Sequence, residues 1–142
     1  MGLISSQLEQ QQESGEEMVK IWLSGGLLWL NLVLFASLSP VPTALQHSFD
    51  LYDKLIHLVV YAGLMWWFCQ IYARSVHRWV FLLLACFGLL VEFFQGMGTY
   101  RVFDPADVLA NCVGILIAWF VVGYRFARII KPIENRAYVD LS

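Results

Sequence analysis

Charged residues are scarce in this sequence. Only 14% of its 142 residues are Asp, Glu, Lys or Arg, whereas 59% are hydrophobic and the mean hydropathy is +0.63. A soluble domain is usually about one-quarter charged, and a small globule cannot bury so many apolar side chains because it is mostly surface. The composition therefore excludes an ordinary soluble domain and favours a protein whose apolar surface faces lipid.

Cysteine is also rare, and no pair has the spacing of a redox or zinc site. Cys69, Cys86 and Cys112 lie inside apolar segments, without any CxxC motif. We interpret them as small hydrophobic residues. The net charge of −2 does not indicate nucleic-acid binding. The sequence also lacks an HExxH signature, so the favoured expectation is that no metal or other cofactor is bound.

Four long apolar segments contain most of the hydrophobic residues. Each is close to the ~20 residues that a helix needs to cross a bilayer. Backbone groups in lipid must form hydrogen bonds within their own segment, which favours helices. The sequence thus predicts an all-α, four-helix transmembrane bundle. The predicted helices cover approximately residues 19–38, 53–73, 79–97 and 105–124.

Both ends of the chain differ from this apolar middle. Residues 1–14 are rich in Gln and Glu, which predicts a disordered acidic tail. Ser14 is followed by glutamate three residues later, as in a capping box, so we expect the first helix to begin near Gly15. The transmembrane domain is then expected to cover residues 15–130, with a C-terminal tail over residues 131–142.

Lysine and arginine are distributed unevenly between the two sides of the predicted bundle. The side that holds both tails and the connection at residues 74–78 carries seven of them, whereas the other side carries only Lys54 and Arg101. Positive residues are concentrated on the cytoplasmic side of membrane proteins. We therefore expect both termini to be cytoplasmic.

Polar residues gather at the predicted outer ends of the second, third and fourth helices. In the second helix three of them are four residues apart, so they share one face. A random scatter would also have put some near the cytoplasmic ends. These polar residues are Asp53, Lys54, His57, Tyr61, Glu92, Gln95, Arg101, Asp107 and Asn111.

Glu92 is the residue least compatible with lipid. An ionisable side chain in the middle of a membrane costs roughly 2.5–3.5 kcal/mol on insertion scales. We expect Glu92 to face the bundle interior, with His57, Arg101 or Asn111 as its partner. Glycines four residues before and after it would let a neighbouring helix come close.

Other polar residues have simpler interpretations. Asp104, which precedes Pro105, is typical of a helix N-cap. Asn31 lies in the middle of the first helix, where we expect it to form an interhelical hydrogen bond without a chemical role.

In their order and spacing, these polar residues resemble the VanZ-like family of small bacterial integral membrane proteins. The resemblance covers about residues 30–120, although a proline common in the family before Arg101 is missing. It implies a multi-pass protein of the bacterial inner membrane, in a family whose named member is linked to low-level teicoplanin resistance. The matching motifs are Asp53-Lys54-x-x-His57-x-x-x-Tyr61, Glu92-x-x-Gln95, Arg101, and Asp107-x-x-x-Asn111-x-x-Gly114.

One functional hypothesis is binding of a lipid headgroup or a lipid-linked cell-envelope precursor at the outer leaflet. Lys54, His57 and Arg101 would contact an anion through charge-assisted hydrogen bonds. The nearby carboxylates and amides would orient them and bind sugar or peptide groups. The expected partners are therefore membrane lipids or such a precursor. The ligand-binding candidates are Asp53, Lys54, Tyr61, Gln95, Arg101 and Asn111.

A second hypothesis is an intramembrane enzyme that hydrolyses or transfers a lipid-linked substrate. His57 would be the general base, oriented by Asp53 or Asp107, and Glu92, desolvated by burial, would be the acid. Arg101 would stabilise developing negative charge. The candidate catalytic residues are thus His57, Glu92 and Asp107. In a variant of this hypothesis, His57 and carboxylates hold a divalent metal.

The third hypothesis is purely structural. A buried polar network can specify how helices pack without binding anything, although an apolar bundle would be equally stable. Of the three hypotheses, the sequence favours binding first, catalysis second and a purely structural role third.

Overall fold

The computed structural model describes residues 2–39, 50–98 and 102–125, and these residues form four long helices without a strand. All four are long and apolar enough to cross a membrane, which confirms the predicted all-α transmembrane bundle. A single 3-10 turn at Arg74–Val76 joins the second helix to the third. The helices are α1 (Gly2–Leu38), α2 (Asp50–Ile71), α3 (His77–Gly96) and α4 (Pro105–Arg125).

The start of α1 differs from the prediction. Helical structure begins at Gly2, and Ser14 lies inside the helix, where its hydroxyl donates to the carbonyl of Gln11 at 3.0 Å. The predicted helix start near Gly15 is therefore wrong, because α1 already includes residues 2–14. Gln, Glu and Leu are good helix formers, and extending an existing helix is much easier than nucleating one.

Many of the most deeply buried side chains belong to α2, which lies in the centre of the bundle. Tyr61, Leu64 and Met65 are at most 1% exposed. Helix α4 packs directly against α2 because Gly114 lies against the backbone carbonyl of Leu58, where a Cβ would overlap the carbonyl oxygen. A small residue at position 114 is thus what allows the two helices to approach so closely.

Helix α1 lies at the periphery. Only 6% of the residues in its apolar stretch are buried, against 44% in the apolar stretch of α2. Its contact with α2 is made by Gly25 and Gly26, which lie against the rings of Trp67 and Phe68. Asn31 donates to the carbonyl of Leu27 in its own helix, so the predicted interhelical hydrogen bond is wrong. An exposed amide can instead use a backbone carbonyl one turn earlier.

The distribution of polarity is inverted relative to a soluble protein. Large apolar side chains such as Phe35, Leu83 and Phe120 are more than 60% exposed, whereas several polar side chains are buried. This arrangement suits a bundle surrounded by acyl chains, because polar groups in a membrane must find partners inside the protein. The location of the buried polar groups is therefore informative about function.

Candidate functional site at the polar end of the bundle

The sequence-predicted polar residues meet at one end of the bundle. The C-terminal ends of α1 and α3 lie there, because Gln95 Nε2 donates to the Ser37 carbonyl at 2.8 Å. The N-terminal ends of α2 and α4 lie there too, joined by an ion pair of 3.0 Å between Lys54 and Asp104. We call this set the polar cluster: Asp53, Lys54, His57, Tyr61, Glu92, Gln95, Asp104, Asp107 and Asn111.

Most of the polar cluster is buried. Tyr61 and Asn111 are 1% exposed, Glu92 is 2% exposed, and Asp107 is 5% exposed. The small-and-polar side of α4 faces inward, because Asp107, Asn111, Gly114 and Ala118 are all buried. Burial of so many polar groups is costly unless each group has a hydrogen-bond or ionic partner.

His57 is fixed by a hydrogen bond between helices. Its Nδ1 lies 3.1 Å from Asn111 Oδ1. An amide oxygen can only accept, so Nδ1 carries the proton, and in the neutral ring Nε2 keeps a free lone pair. Nε2 lies 3.9 Å from Asp53 Oδ1, one turn earlier on α2. The ring therefore presents Nε2 to a carboxylate that is too distant for a hydrogen bond.

Lys54 lies between two carboxylates of α4. Its Nζ is 3.0 Å from Asp104 Oδ2 and 3.8 Å from Asp107 Oδ1. Asp104 is also the predicted N-cap, since its Oδ1 accepts from the backbone N–H of Ala106 at 2.9 Å. The Ala106 N–H and Lys54 together hold the pKa of Asp104 below its usual value.

Glu92 faces the bundle interior, as predicted, but with a partner that the sequence did not indicate. Its Oε1 accepts from the backbone N–H of Asp104 at 2.9 Å. It also lies close enough to Tyr61 for an electrostatic interaction. Glu92 thereby connects the end of α3 to the residue that precedes α4.

Asp104 has a larger role than the sequence indicated. The sequence predicts only a helix cap at this position, yet Asp104 contacts Lys54, Glu92 and Ala106. The only available signal was its position one residue before a helix that carries Asp107. Arg101, predicted to bind an anion, lies outside the described residues, and its role stays a prediction.

Glycine makes this assembly possible. A Cβ at Gly88 would lie 2.8 Å from Asn111 Nδ2 and 3.0 Å from the Tyr61 ring. A Cβ at Gly96 would lie 2.7 Å from the Cβ of Phe103. The expectation that glycines on the face of Glu92 allow close approach is therefore confirmed.

Several buried polar atoms of the cluster have no hydrogen-bond partner among the residues that the structure describes. They are Tyr61 OH, Gln95 Oε1, Asp107 Oδ1 and Asn111 Nδ2. More than 90% of buried polar groups in proteins form hydrogen bonds, so unmatched ones need a specific explanation. The set includes both donors and acceptors.

Three side chains of the cluster have the chemistry of metal ligands. Asp53, His57 and Asp107 each offer one ligand atom, and these atoms lie within 4.8 Å of one another. Helix α2 places the first two on one face, four residues apart, and the first turn of α4 adds the third. The sequence suggests a metal held by His57 and carboxylates only as a variant, and it does not indicate that Asp53 and Asp107 both lie beside the histidine.

Comparison with known proteins identifies the chain independently of this geometry. A sequence model of the VanZ/LLP1 family matches residues 1–128. No curated protein and no solved structure matches the chain. The match covers the four helices and every residue of the polar cluster, and it agrees with the resemblance seen in the polar motifs. The chain is therefore a membrane protein that belongs to the VanZ/LLP1 family.

Proposed function

We propose that the polar cluster binds the phosphate- and hydroxyl-bearing headgroup of a lipid, and specifically that of a lipid-linked cell-envelope precursor. The site would lie at the outer leaflet of the bacterial inner membrane. The sequence predicts seven lysines and arginines on the side of the two tails, against two on the opposite side, which supports an outward-facing cluster with both termini in the cytoplasm.

The observation that carries this proposal is the set of unmatched buried atoms. A cluster that only stabilised packing would satisfy its own donors and acceptors, because an unmatched buried group costs about 1–3 kcal/mol. Tyr61 OH, Gln95 Oε1 and Asn111 Nδ2 are buried yet lack partners among the described residues. A headgroup with hydroxyl, amide and phosphate groups offers partners for all three.

Access to the cluster is available from its own end of the bundle. The side chains of Asp53 and Lys54 are 25% and 27% exposed, whereas His57 behind them is 8% exposed. Charged side chains at the partly exposed rim and buried hydroxyl, amide and carboxyl groups behind them suit a headgroup whose acyl or prenyl chain stays in the surrounding lipid. Lys54 would contact the phosphate, with Arg101 as its predicted second cation.

The substitution Glu92→Gln tests this proposal, because it keeps the shape of the side chain and removes its charge. We expect the affinity for a polyprenyl-diphosphate-linked saccharide to fall by about 10- to 100-fold, the value of one charge-assisted hydrogen bond. Binding is measured by native mass spectrometry of the full chain in nanodiscs. Glu17→Gln is the matched control, since Glu17 is exposed and pairs with Lys20 far from the cluster.

The choice of lipid separates the possible headgroups. Tighter binding of the saccharide-linked lipid than of polyprenyl phosphate or phosphatidylglycerol supports a precursor site. Equal binding of all three supports a general phosphate site. No binding of any of them by the wild-type chain contradicts the proposal. The named member of the family is linked to low-level teicoplanin resistance. The corresponding cellular measurement is therefore the glycopeptide tolerance of cells with and without this protein.

Intramembrane acid–base catalysis is the second candidate, and the surroundings of His57 favour it. Asn111 holds the ring so that Nε2 faces away from Asn111, 3.9 Å from Asp53. A base needs a free lone pair and a fixed orientation. Release of saccharide or phosphate from the bound lipid by the wild-type chain, but not by His57→Gln, would support an enzyme rather than a binding protein.

A further inference from the structure

The triad of Asp53, His57 and Asp107 brings three metal-ligating atoms within 4.8 Å of one another. One imidazole and two carboxylates are a ligand set that suits Zn²⁺ and Mn²⁺. We propose that this triad binds one divalent transition metal ion. This goes beyond headgroup binding, and the metal site stands whether or not a lipid is the ligand.

The orientation of His57 is the first support for this inference. Asn111 Oδ1 accepts from Nδ1 at 3.1 Å, which leaves Nε2 free to act as a ligand. Metal-ligating histidines usually donate their other ring N–H to an oxygen of this kind, which fixes both the tautomer and the ring. Asn111 would therefore be a positioning residue for the metal ligand.

Asp107 supplies the second, independent support. Its side chain is only 7% exposed, and its Oδ1 has no hydrogen-bond partner among the described residues. Lys54 Nζ, the nearest described cation, is 3.8 Å away and forms its shorter contact with Asp104. A buried carboxylate oxygen without a hydrogen bond is costly, and a directly coordinated cation would remove that cost.

The negative charge of the polar cluster also favours a bound cation. Among the described residues it contains four carboxylates and one lysine, namely Asp53, Glu92, Asp104, Asp107 and Lys54. A headgroup phosphate would add further negative charge. A divalent ion offsets two of these charges, and its open coordination positions would accept phosphate oxygens, a step that rests on the proposed function.

The geometry requires only small side-chain movements. Three atoms bound tetrahedrally at about 2.1 Å lie about 3.4 Å from one another. His57 Nε2 and Asp53 Oδ1 are now 3.9 Å apart. Asp53 and His57 are held by the same helix face, so rotation of the Asp107 side chain from α4 would complete the site. Three protein ligands leave room for exogenous ones, as in catalytic rather than structural metal sites.

Direct metal binding by the full chain tests the inference. The protein, purified in detergent and stripped with a chelator, is titrated with Zn²⁺, Mn²⁺ and the spectroscopic probe Co²⁺. We expect about one ion per chain by elemental analysis, with Co²⁺ absorption or Mn²⁺ resonance signals that change on binding. A wild-type chain that binds none of the three ions above buffer level overturns the inference, whatever the variants do.

Substitutions locate the ion within the cluster. Asp107→Asn and His57→Gln should each weaken binding by more than about 100-fold, and Asn111→Leu by about 10- to 100-fold. Glu92→Gln is the control, because Glu92 lies in the same cluster but outside the triad; its effect should be below about tenfold. Size-exclusion profiles check folding of each variant. Equal binding by wild type and folded Asp107→Asn contradicts the assignment.

The two proposals fail in different ways. If Glu92→Gln keeps the metal and loses the lipid, both proposals hold. A wild-type chain that binds one metal but no lipid refutes only the headgroup proposal. A chain that binds lipid without metal refutes only the metal site.

Discussion

Each end of the bundle buries a histidine, and the two histidines have different surroundings. His77 is 1% exposed, and its Nε2 lies 3.0 Å from the backbone carbonyl of Tyr72, five residues earlier. His57 is bonded to Asn111, a side chain 54 residues away on another helix. The bond of His77 joins residues only five apart, so it can form locally where α2 connects to α3. The bond between His57 and Asn111 forms only when α2 and α4 are packed together.

The contrast extends to the groups around them. All the buried side-chain atoms that lack a hydrogen bond among the described residues belong to the polar cluster, around His57. Near His77, Gln70 Nε2 donates to the carbonyl of Trp66 within the same helix. Burial of a polar group therefore does not by itself indicate function. Unmatched atoms on several helices do, because natural structures rarely tolerate them without a ligand.

Matched substitution of the two histidines should give the largest effect. His57→Gln is expected to lower the affinity for a lipid-linked saccharide by about 10- to 100-fold, because it removes an interhelical bond and a site group together. His77→Gln should leave that affinity unchanged, since glutamine can still donate to the Tyr72 carbonyl. Equal losses for both variants, measured in nanodiscs, would show that the two ends do not differ in function.

A methyl group at Gly88 should disturb the polar end without touching its charges. Gly88→Ala places a Cβ 2.8 Å from Asn111 Nδ2, so Asn111 must move and its bond to His57 must lengthen. We expect a stability loss of about 1–3 kcal/mol and a clear loss of ligand affinity. Gly25→Ala is the control, because its Cβ would lie 2.8 Å from Trp67, outside the cluster. That variant should lose stability but keep affinity.

Removal of the bond from Gln95 to Ser37 should have a smaller effect. Gln95→Leu keeps the size of the side chain but breaks the contact between α3 and α1. Interhelical hydrogen bonds in membranes are worth about 0.6 kcal/mol on average and up to about 1.7, and we expect a loss in this range. Asn31→Leu, which removes a bond within α1 only, should not destabilise. Unfolding in mixed micelles measures both; a larger loss for Asn31→Leu would contradict the comparison.

The acid response of Asp104 should be the smallest effect. The pKa of Asp104 in the folded protein is lower than its ordinary value of 3.8. The ionised carboxylate therefore contributes its full stabilisation of the folded state at pH values above 3.8. The contribution is lost as the pH falls through the lower, folded pKa. We expect less than about 1 kcal/mol, because the side chain is 39% exposed. In Asp104→Asn, which keeps the cap, this part of the acid-induced loss should disappear from unfolding curves measured between about pH 5 and 3.

Much of the architecture could be predicted from local features. Helices α2, α3 and α4 were expected within three residues of their observed ends, because segment length and the chemistry of lipid leave few alternatives. The start of α1 was missed, since Gln- and Glu-rich composition fits both a solvated tail and an exposed helix. The division of the chain into tails and a membrane domain stays a prediction, as does the orientation of the termini.

Only part of the candidate site could be predicted from local features of the sequence. The spacing of polar residues on α2 identified a shared face, and the ionisable side chain of Glu92 indicated a polar interior. Asp104 was underestimated because its three contacts come from different helices. The backbone partner of Glu92 was missed for the same reason. Arg101 remains a predicted site residue outside the described ranges.

The sequence by itself determined that this chain is a four-helix membrane protein with its polar residues at one end, because hydropathy, length and helical period are local properties. Only the tertiary structure decided that Asp53, His57 and Asp107 converge, that Asn111 orients the histidine, and that buried atoms of the cluster are left unmatched. These are distances between helices, and they depend on how closely glycines such as Gly88 and Gly114 allow the helices to pack.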